Sequence, residues 1–144
     1  VITRDLTGIE IIHQLAKEYL LFAERHPEYY SAMQFYENLN GSADLSDSEY
    51  LQNCSVYMKR TFSYTIRAIQ SGMQDGTIRT DYDPKQLALL LWSVSKGIVH
   101  MSYQQQSNPQ LDFLTEFGLQ KKGLSDIFIN FMENGIASNK KITD

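Results

Sequence analysis

Apolar residues recur three and four positions apart along most of the chain, which is the spacing of one face of an α-helix. The first such stretch predicts a helix over about 7–24, and His26-Pro27 ends it because the residue before proline is pushed out of the helical region. Pro27 suits a first helical position and begins a second helix to about 39. A third helix is expected over about 47–71, with Ser46 or Asp47 as its N-cap.

The connection between the third and fourth helices has the clearest boundary signals. Gly72 is expected to end the third helix and Asp75-Gly76 to form a tight turn, because glycine accepts the left-handed conformation that closes helices and turns. Residues 77–79 should then run extended. Asp83 and Pro84 begin the fourth helix, since aspartate accepts hydrogen bonds from unpaired amides and proline lacks an N–H that would need a partner there.

The fourth helix, over about 84–105, is too apolar for an ordinary surface helix. Every residue from 87 to 92 is apolar, and Val94, Ile98 and Met101 continue the pattern. Apolar groups therefore cover more than one side of this helix, and a second apolar face needs a second partner. Another subunit is one candidate for that partner.

The rest of the chain completes a helical pattern. A short turn of helix is expected over 111–117 and a last helix over about 120–134, with Gly135 as its C-cap and a frayed tail over 140–144. Apart from 77–79, no strand-like alternation competes with these helices. The sequence therefore predicts an all-α fold, an antiparallel bundle of about five to six helices in a single domain over 1–144.

Composition and charge are those of a globular protein with no general affinity for nucleic acid. The chain has 144 residues, 42% of them hydrophobic and 21% charged, which suits one folded core. Its net charge is -4, so no overall positive field neutralises phosphates, and the chain alone should bind DNA poorly. No apolar run approaches the roughly 18 residues of a membrane span and no signal-peptide pattern is present, so the cytoplasm is the expected location.

Residues of the kinds that carry catalysis or bind metals are scattered along the sequence. His13, His26 and His100 are far apart and fit no metal-ligand spacing, so each is expected to be structural. Cys54 lies on the apolar stripe of the third helix, where an unpaired cysteine acts as a small hydrophobic residue. The glycines form no phosphate-binding loop. The sequence therefore predicts no catalytic residues, no metal site and no cofactor.

Aromatic residues are abundant, with nine tyrosines, seven phenylalanines and one tryptophan making up 12% of the chain. Packing in an ordinary core and lining of a shared cavity are both consistent with this pattern. A buried tyrosine hydroxyl needs a partner, so many tyrosines around a core suit a cavity whose polar groups orient a ligand.

Two motifs carry a resemblance to a known family. Residues 75–84 read DGTIRTDYDP and residues 87–97 read LALLLWSVSKG, which fit a connection DG-x-(I/L)-R-x-D-x-(D/P)P and a helix LA-x-x-LW-x-x-x-x-G. Residues 19–30, YLLFAERHPEYY, match a helix, short break and helix around a His-Pro-Glu step. The chain thus resembles the C-terminal regulatory domain of the TetR (tetracycline-repressor-type) family of bacterial transcription regulators.

The resemblance implies a small-molecule cavity among the helices, which favours the cavity interpretation of the aromatic residues. The expected ligand is amphipathic or aromatic and is not a sugar phosphate, because no arginine or lysine cluster faces this set. The residues predicted to bind the ligand lie on helices two, three and four: Tyr30, Met33, Tyr36, Tyr57, Met58, Phe62, Trp92 and His100.

The resemblance also implies a homodimer, because the last two long helices of each family member join those of a second subunit in a four-helix bundle. The fourth helix carries two strips about 100° apart. The first consists of Leu87, Leu91, Val94, Ile98 and Met101, and the second consists of Ala88, Trp92, Ser95, Val99 and Tyr103. The pattern alone does not decide which strip faces the partner. The predicted dimer contacts combine the second strip with the last helix: Ala88, Trp92, Ser95, Val99, Tyr103, Leu124, Phe128 and Phe131.

Family members begin with a helix-turn-helix module, which this sequence lacks, so the chain is expected to be the regulatory part of a ligand-controlled regulator. A ligand that fits better when the first helix is displaced would change the spacing of two recognition helices, which must match half-sites about 34–36 Å apart. Two other classes of function remain open. A helical interaction module would fill its interior with its own side chains, and an enzyme would need a convergent set of polar groups with shifted pKa values.

Overall fold

The computed structural model of the protein describes residues 5–38, 49–118 and 123–139, and most of these are helical. The elements follow in the order α1 (Gly8–Arg25), α2 (Pro27–Asn38), α3 (Glu49–Asp75), α4 (Pro84–Ser107), a 3₁₀ turn (Pro109–Leu111), α5 (Phe113–Glu116) and α6 (Leu124–Ile136). The predicted all-α class is confirmed. Within the described ranges, β-pairing is limited to one isolated antiparallel bridge between Ile78 and Ala137.

α1 lies at the centre of the bundle, because it packs against α2, α3, α4 and α6. α4 in turn packs against α3 and α6, so these helices enclose one apolar core. His13 of α1 contacts Glu133 of α6 through Nδ1 and Oε1, at the edge of that core. The buried apolar residues come from all of the long helices: Ile12, Leu20, Tyr30, Ala68, Ile69, Ile78, Leu87, Ala88, Val99, Phe128, Ile129, Met132 and Ile136.

Local signals begin and end three of the helices where the sequence predicts them. The Glu10 carboxylate accepts hydrogen bonds from the amide and the hydroxyl of Thr7, at 2.9 and 2.8 Å, at the start of α1. His26 separates α1 from α2, and Pro27 is the first residue of α2. At the start of α4, the Asp83 side chain accepts hydrogen bonds from two first-turn amides at 3.0 and 2.9 Å.

Gly72 does not end α3, and this prediction was wrong. The helix continues to Asp75, and Gly76, with φ 82°, takes the left-handed conformation after it. Gly72 instead lies where the start of α1 crosses α3. A Cβ atom on Gly8 would lie only 2.1 Å from the Gly72 nitrogen, so no larger residue fits at position 8 without a shift of the backbone. The glycines therefore permit a close approach of two helices.

The Asp75 carboxylate joins the start of α1 to the connection between α3 and α4. Its Oδ2 accepts a hydrogen bond from the Gly8 amide at 2.7 Å, and its Oδ1 accepts from the amide and the hydroxyl of Thr77 at 2.9 and 2.6 Å. Burial alone would raise the pKa of Asp75, but the hydrogen bonds from Thr77 and Gly8 lower this pKa below its ordinary value. A negative charge is favourable here because the first turn of a helix carries a partial positive charge.

Ile78 closes the connection against the end of α6. Its side chain is buried and its backbone forms the bridge to Ala137, while the Arg79 amide donates to the Ile136 carbonyl at 2.9 Å. α6 therefore continues to Ile136, and Gly135 is not its C-cap as predicted, because Gly135 keeps a helical backbone. The structure gives Ala137 as the C-cap.

Some sequence predictions fall on residues that the structure does not describe. These are the N-cap at Ser46 or Asp47, the first residues of the last helix before 123, and the tail over 140–144. The described part of α6 begins directly after Gly123, whose φ of 106° is left-handed.

Candidate ligand-binding cavity

A cavity of about 320 Å³ lies among α1, α2, α3, α4 and α6, which is at the lower end of the range for small-molecule sites. Nearly all of its wall is apolar. The residues that line it are Ile12, Leu15, Ala16, Tyr19, Phe22, Ala23, Tyr30, Met33, Tyr57, Met58, Thr61, Phe62, Thr65, Leu91, Trp92, Ser95, Lys96, Phe128 and Met132.

The structure brings most of the sequence-predicted ligand residues together around this cavity. Six of the eight line it: Tyr30, Met33, Tyr57, Met58, Phe62 and Trp92. The side chain of Tyr36 lies outside the described residues. His100 does not line this cavity and lies beside Tyr30, with its Nδ1 3.2 Å from the Tyr30 hydroxyl.

Sequence reasoning missed the largest contribution to the wall, which comes from α1. Six residues of α1 line the cavity, at the spacing of one helical face: Ile12, Leu15, Ala16, Tyr19, Phe22 and Ala23. The same periodic stripe had indicated only a helix that packs on a core. A helix that lines a cavity and a helix that packs against a core show the same periodic sequence pattern. The apolar stripe of α1 therefore could not distinguish the two.

The cavity has a buried floor and an exposed rim. Ile12, Ser95 and Met132 are buried, whereas Phe22 and Tyr57 at the other side are exposed. The Phe62 and Trp92 rings lie 5.9 Å apart between centroids and form an aromatic wall. Flat aromatic surfaces are therefore part of the wall between the floor and the rim.

The hydroxyl groups of two lining residues are already engaged with their own helices. The Ser95 hydroxyl donates to the Leu91 carbonyl at 2.8 Å, and the Thr65 hydroxyl donates to the Thr61 carbonyl at 3.0 Å. Each is a bond to the carbonyl four residues earlier, which is a common arrangement for serine and threonine within helices. These oxygens can accept a hydrogen bond from a ligand, but their protons are in use.

A polar cluster fixes α2 against α4 beside the cavity. The Tyr30 hydroxyl accepts a hydrogen bond from the Gln34 side chain at 3.0 Å and lies next to His100. The Tyr103 hydroxyl donates to Ser31 at 3.1 Å, and the Tyr30 and Tyr103 rings are 5.4 Å apart between centroids. Tyr30 and Ala23 also border a second, more polar cavity of about 510 Å³ between α1, α2, α4 and α6.

The predicted dimer strip of α4 is corrected by its burial. Ala88, Ser95 and Val99 are 0%, 7% and 6% exposed, and Phe128 of α6 is 8% exposed, so they offer almost no area to a second subunit. Their small or slender side chains let the neighbouring helices of the same subunit pack closely. Tyr103 is also held inside the subunit by its bond to Ser31 on α2.

Three of the predicted dimer contacts line the cavity, namely Trp92, Ser95 and Phe128, and three are exposed, namely Trp92, Leu124 and Phe131. Trp92 is 37% exposed and lines the cavity, while Leu124 and Phe131 of α6 are 41% and 78% exposed. On the alternative strip, Leu87 is buried, whereas Val94 and Met101 are 39% and 45% exposed. The alternative strip is therefore exposed in part.

An exposed strip of α4, which shares Val94 and Met101 with the alternative strip, and one strip of α6 form what we call the outer apolar surface. On α4, the exposed residues Leu90, Val94, Gly97 and Met101 are spaced by four, three and four, and on α6 Leu124, Ile127 and Phe131 are spaced by three and four. These spacings keep each set on one side of its helix. Since α4 packs against α6, the two strips belong to adjacent helices.

Two features of the described residues concern metal binding and titratable groups. No group of three or more histidine, cysteine, aspartate or glutamate side chains is close enough, within the described ranges, to hold a metal ion. The pKa values that depart from their ordinary range belong to Asp75, Arg79 and Asp81 on the connection between α3 and α4, where Arg79 donates to Asp81 at 2.6 Å. None of these three lines the cavity.

A search of the described residues finds no helix that is both long and apolar enough to cross a membrane.

The helices and their interior define the chain as an all-α domain with an internal apolar cavity. The sequence model of the family described as "Tetracyclin repressor-like, C-terminal domain" matches residues 12–119, which is 108 of the 144 residues. The chain therefore belongs to this family, whose members are regulatory domains that generally dimerise and bind small-molecule effectors. No curated protein and no solved structure matches the chain.

Proposed function

We propose that the chain is the effector-binding and homodimerisation domain of a TetR-type bacterial transcription regulator that acts in the cytoplasm. A small amphipathic or aromatic ligand would bind in the 320 Å³ cavity and control DNA binding by a helix-turn-helix module joined to the start of α1. The observation that carries the proposal is the composition of the cavity wall, because α1 supplies six of its residues. A ligand in this cavity cannot avoid contact with α1.

The connection between binding and regulation rests on the position of α1. Its middle lies against the cavity, and its first turn is fixed to the connection between α3 and α4 by Asp75 and Thr77. If α1 can occupy two positions, a ligand that binds one of them more tightly shifts the equilibrium toward that position. The shift is set by the difference between the binding free energies of the ligand for the two positions. A change of the balance from 1:99 to 99:1 needs an affinity ratio of about 10⁴.

The outer apolar surface supports the dimerisation part of the proposal. Ile127 is 66% exposed and Phe131 is 78% exposed, on a helix that packs against α4. Exposed side chains of this size at helical spacing are typical of a helix interface, where they exclude water on association. A four-helix bundle made from α4 and α6 of two subunits would bury them.

The two other classes of function have less support. An interaction module was expected to fill its interior with its own side chains, whereas the cavity here is large enough for a small ligand. An enzyme was expected to show convergent titratable groups, and those with shifted pKa values in the described residues lie away from the cavity.

The test is to fill the cavity and to follow binding of the uncharged dye N-phenyl-1-naphthylamine, whose emission rises in apolar surroundings. Ala16→Phe places a ring in the cavity, and Ala32→Phe places the same ring on α2 away from it. We expect the dye to bind the natural protein and the Ala32→Phe variant with equal affinity. Ala16→Phe should weaken binding at least about tenfold, because the space for the dye is taken.

Equal dye binding by both variants would contradict the proposal that this cavity is the ligand site. Helical circular dichroism of Ala16→Phe shows whether the variant keeps its fold. If it does not, Thr61→Phe fills the cavity from the exposed side of α3 and gives the same comparison.

A further inference from the structure

The polar residues of the cavity wall differ in how far they are buried. Tyr57, which is 65% exposed, and Thr61 lie at the exposed rim. Tyr19, Thr65 and Lys96 are half-buried. The buried residues of the wall, which we assign to the floor, are mostly apolar: Ile12, Tyr30, Ser95, Phe128 and Met132.

The two buried polar side chains are engaged with other groups of the protein. The Ser95 hydroxyl donates to the Leu91 carbonyl at 2.8 Å. The Tyr30 hydroxyl accepts from the Gln34 side chain at 3.0 Å and lies 3.2 Å from Nδ1 of His100. The Ser95 oxygen can still accept a hydrogen bond, but a ligand oxygen at the floor would compete with the protein's own acceptors for a proton. A polar ligand group left unpaired there is unfavourable.

The half-buried polar residues are engaged too, whereas the rim is open to water. The Thr65 hydroxyl donates to the Thr61 carbonyl at 3.0 Å. The Lys96 Nζ lies over the aromatic wall, and Tyr19 and Lys96 each have a further interaction within the molecule. Because Tyr57 and Thr61 are exposed, a polar group beside them keeps its contact with water.

We infer that the natural ligand is an amphipathic molecule with a single polar end, which stays at the rim beside Tyr57 and Thr61. Its apolar body extends inward and packs on Ile12 and Met132 at the floor. This inference rests on the proposed function and names the class of the ligand and its orientation. Since the polar end is not enclosed, its size is not limited by the cavity, whereas a molecule that is polar at both ends must bury one of them.

The test compares molecules with the same alkyl chain as competitors of N-phenyl-1-naphthylamine, each below the concentration at which it aggregates. Decan-1-ol has one small polar end, n-decyl β-maltoside has one large polar end, and decane-1,10-diol is polar at both ends. We expect the dissociation constant of the maltoside to lie within about tenfold of that of decan-1-ol, because its sugar stays outside the cavity. The diol should bind at least about tenfold more weakly than decan-1-ol, because its second hydroxyl must enter the floor.

The two phenylalanine variants show whether these molecules use the cavity. Ala16→Phe should weaken both decan-1-ol and the maltoside, and Ala32→Phe, on the exposed side of α2, should weaken neither. A maltoside that binds equally well to both variants is bound elsewhere, and this result would overturn the inference.

Two further results would overturn it. If decan-1-ol competes and the maltoside does not, the polar end is enclosed by the protein. If the diol binds as tightly as decan-1-ol, the floor accepts a polar group. These outcomes differ from failure of the proposed function, in which the dye itself would be insensitive to Ala16→Phe.

Discussion

The cavity and the outer apolar surface are both apolar and both use α4, but they differ in shape and enclosure. The cavity wall is concave, contains tyrosine, tryptophan, methionine and one lysine, and leaves space of about 320 Å³. The outer surface carries aliphatic residues and Phe131 on the exposed side of two adjacent helices, with no enclosed space. The first arrangement suits a small ligand with a polar group, and the second suits another helix surface.

This difference explains why α4 is apolar on more than one side. The side with Ala88 and Val99 packs in the core, Leu91 and Trp92 border the cavity, and Leu90 and Val94 face outward. Three demands on one helix leave few positions for polar residues. If the account is correct, changes on one surface should leave the function of the other surface intact.

The largest effect is expected from charges on the outer apolar surface. The double change Ile127→Asp and Phe131→Asp should weaken self-association at least about a hundredfold, because two aspartates would have to be desolvated at the centre of an apolar interface. Sedimentation velocity over a range of concentrations measures this, and the dye affinity of the cavity should stay within about twofold.

The matched control is Val56→Asp, which puts a charge on an exposed apolar position of α3 outside both surfaces. It should leave association unchanged. A monomeric Val56→Asp variant, or an unaltered dimer in the double variant, would show that the interface lies elsewhere.

An intermediate effect is expected where α1 crosses α3. Gly8→Ala places a Cβ atom 2.1 Å from the Gly72 nitrogen, so the helices must separate, and overpacking of this kind costs about 1–3 kcal/mol. Urea unfolding in the Ile127→Asp and Phe131→Asp background measures the free energy of unfolding without a contribution from association.

Gly135→Ala serves as the comparison, because a Cβ atom there meets nothing within 4 Å. It should be neutral or slightly stabilising, since alanine favours the helix by up to about 1 kcal/mol. Equal destabilisation by both changes would contradict the close contact of α1 with α3.

The smallest effect is expected at Asp75. Asp75→Asn should cost about 1 kcal/mol at neutral pH, similar to loss of a helix N-cap. Folding lowers the pKa of Asp75, so its contribution is fully present above the ordinary value of 3.8 and is lost as the pH falls through the lower folded value. The difference in unfolding free energy between the natural protein and Asp75→Asn should therefore shrink in acid. A difference that grows in acid would contradict the assigned role.

Local signals allowed much of the fold to be predicted from the sequence. Asp83 and Pro84 start α4, and His26-Pro27 separates α1 from α2, because these residues act through their own backbone and nearest amides. Gly72 misled the prediction because a glycine that ends a helix and one that admits a neighbouring helix look alike in sequence. Only the position of Gly8 across the fold distinguishes them.

The cavity was partly predictable for a related reason. The aromatic residues of α2, α3 and α4 stood out by type, and four of them, together with two methionines, do surround it. The α1 residues that complete the wall are ordinary apolar residues of a periodic stripe. On α4, apolar residues surround the helix, so periodicity carried no information on which strip is exposed, and Ala88 and Val99, predicted to contact a partner, are buried within the subunit.

The central claim is that each subunit holds its own ligand cavity, separate from the surface that joins two subunits. The chain has one tryptophan, Trp92, and it lines the cavity, so energy transfer from Trp92 to N-phenyl-1-naphthylamine reports occupancy directly. We expect tryptophan emission to fall until one dye is bound per subunit, equally in the natural protein and in the Ile127→Asp and Phe131→Asp variant. No quenching in either protein, or quenching that disappears in the double variant, would contradict the claim.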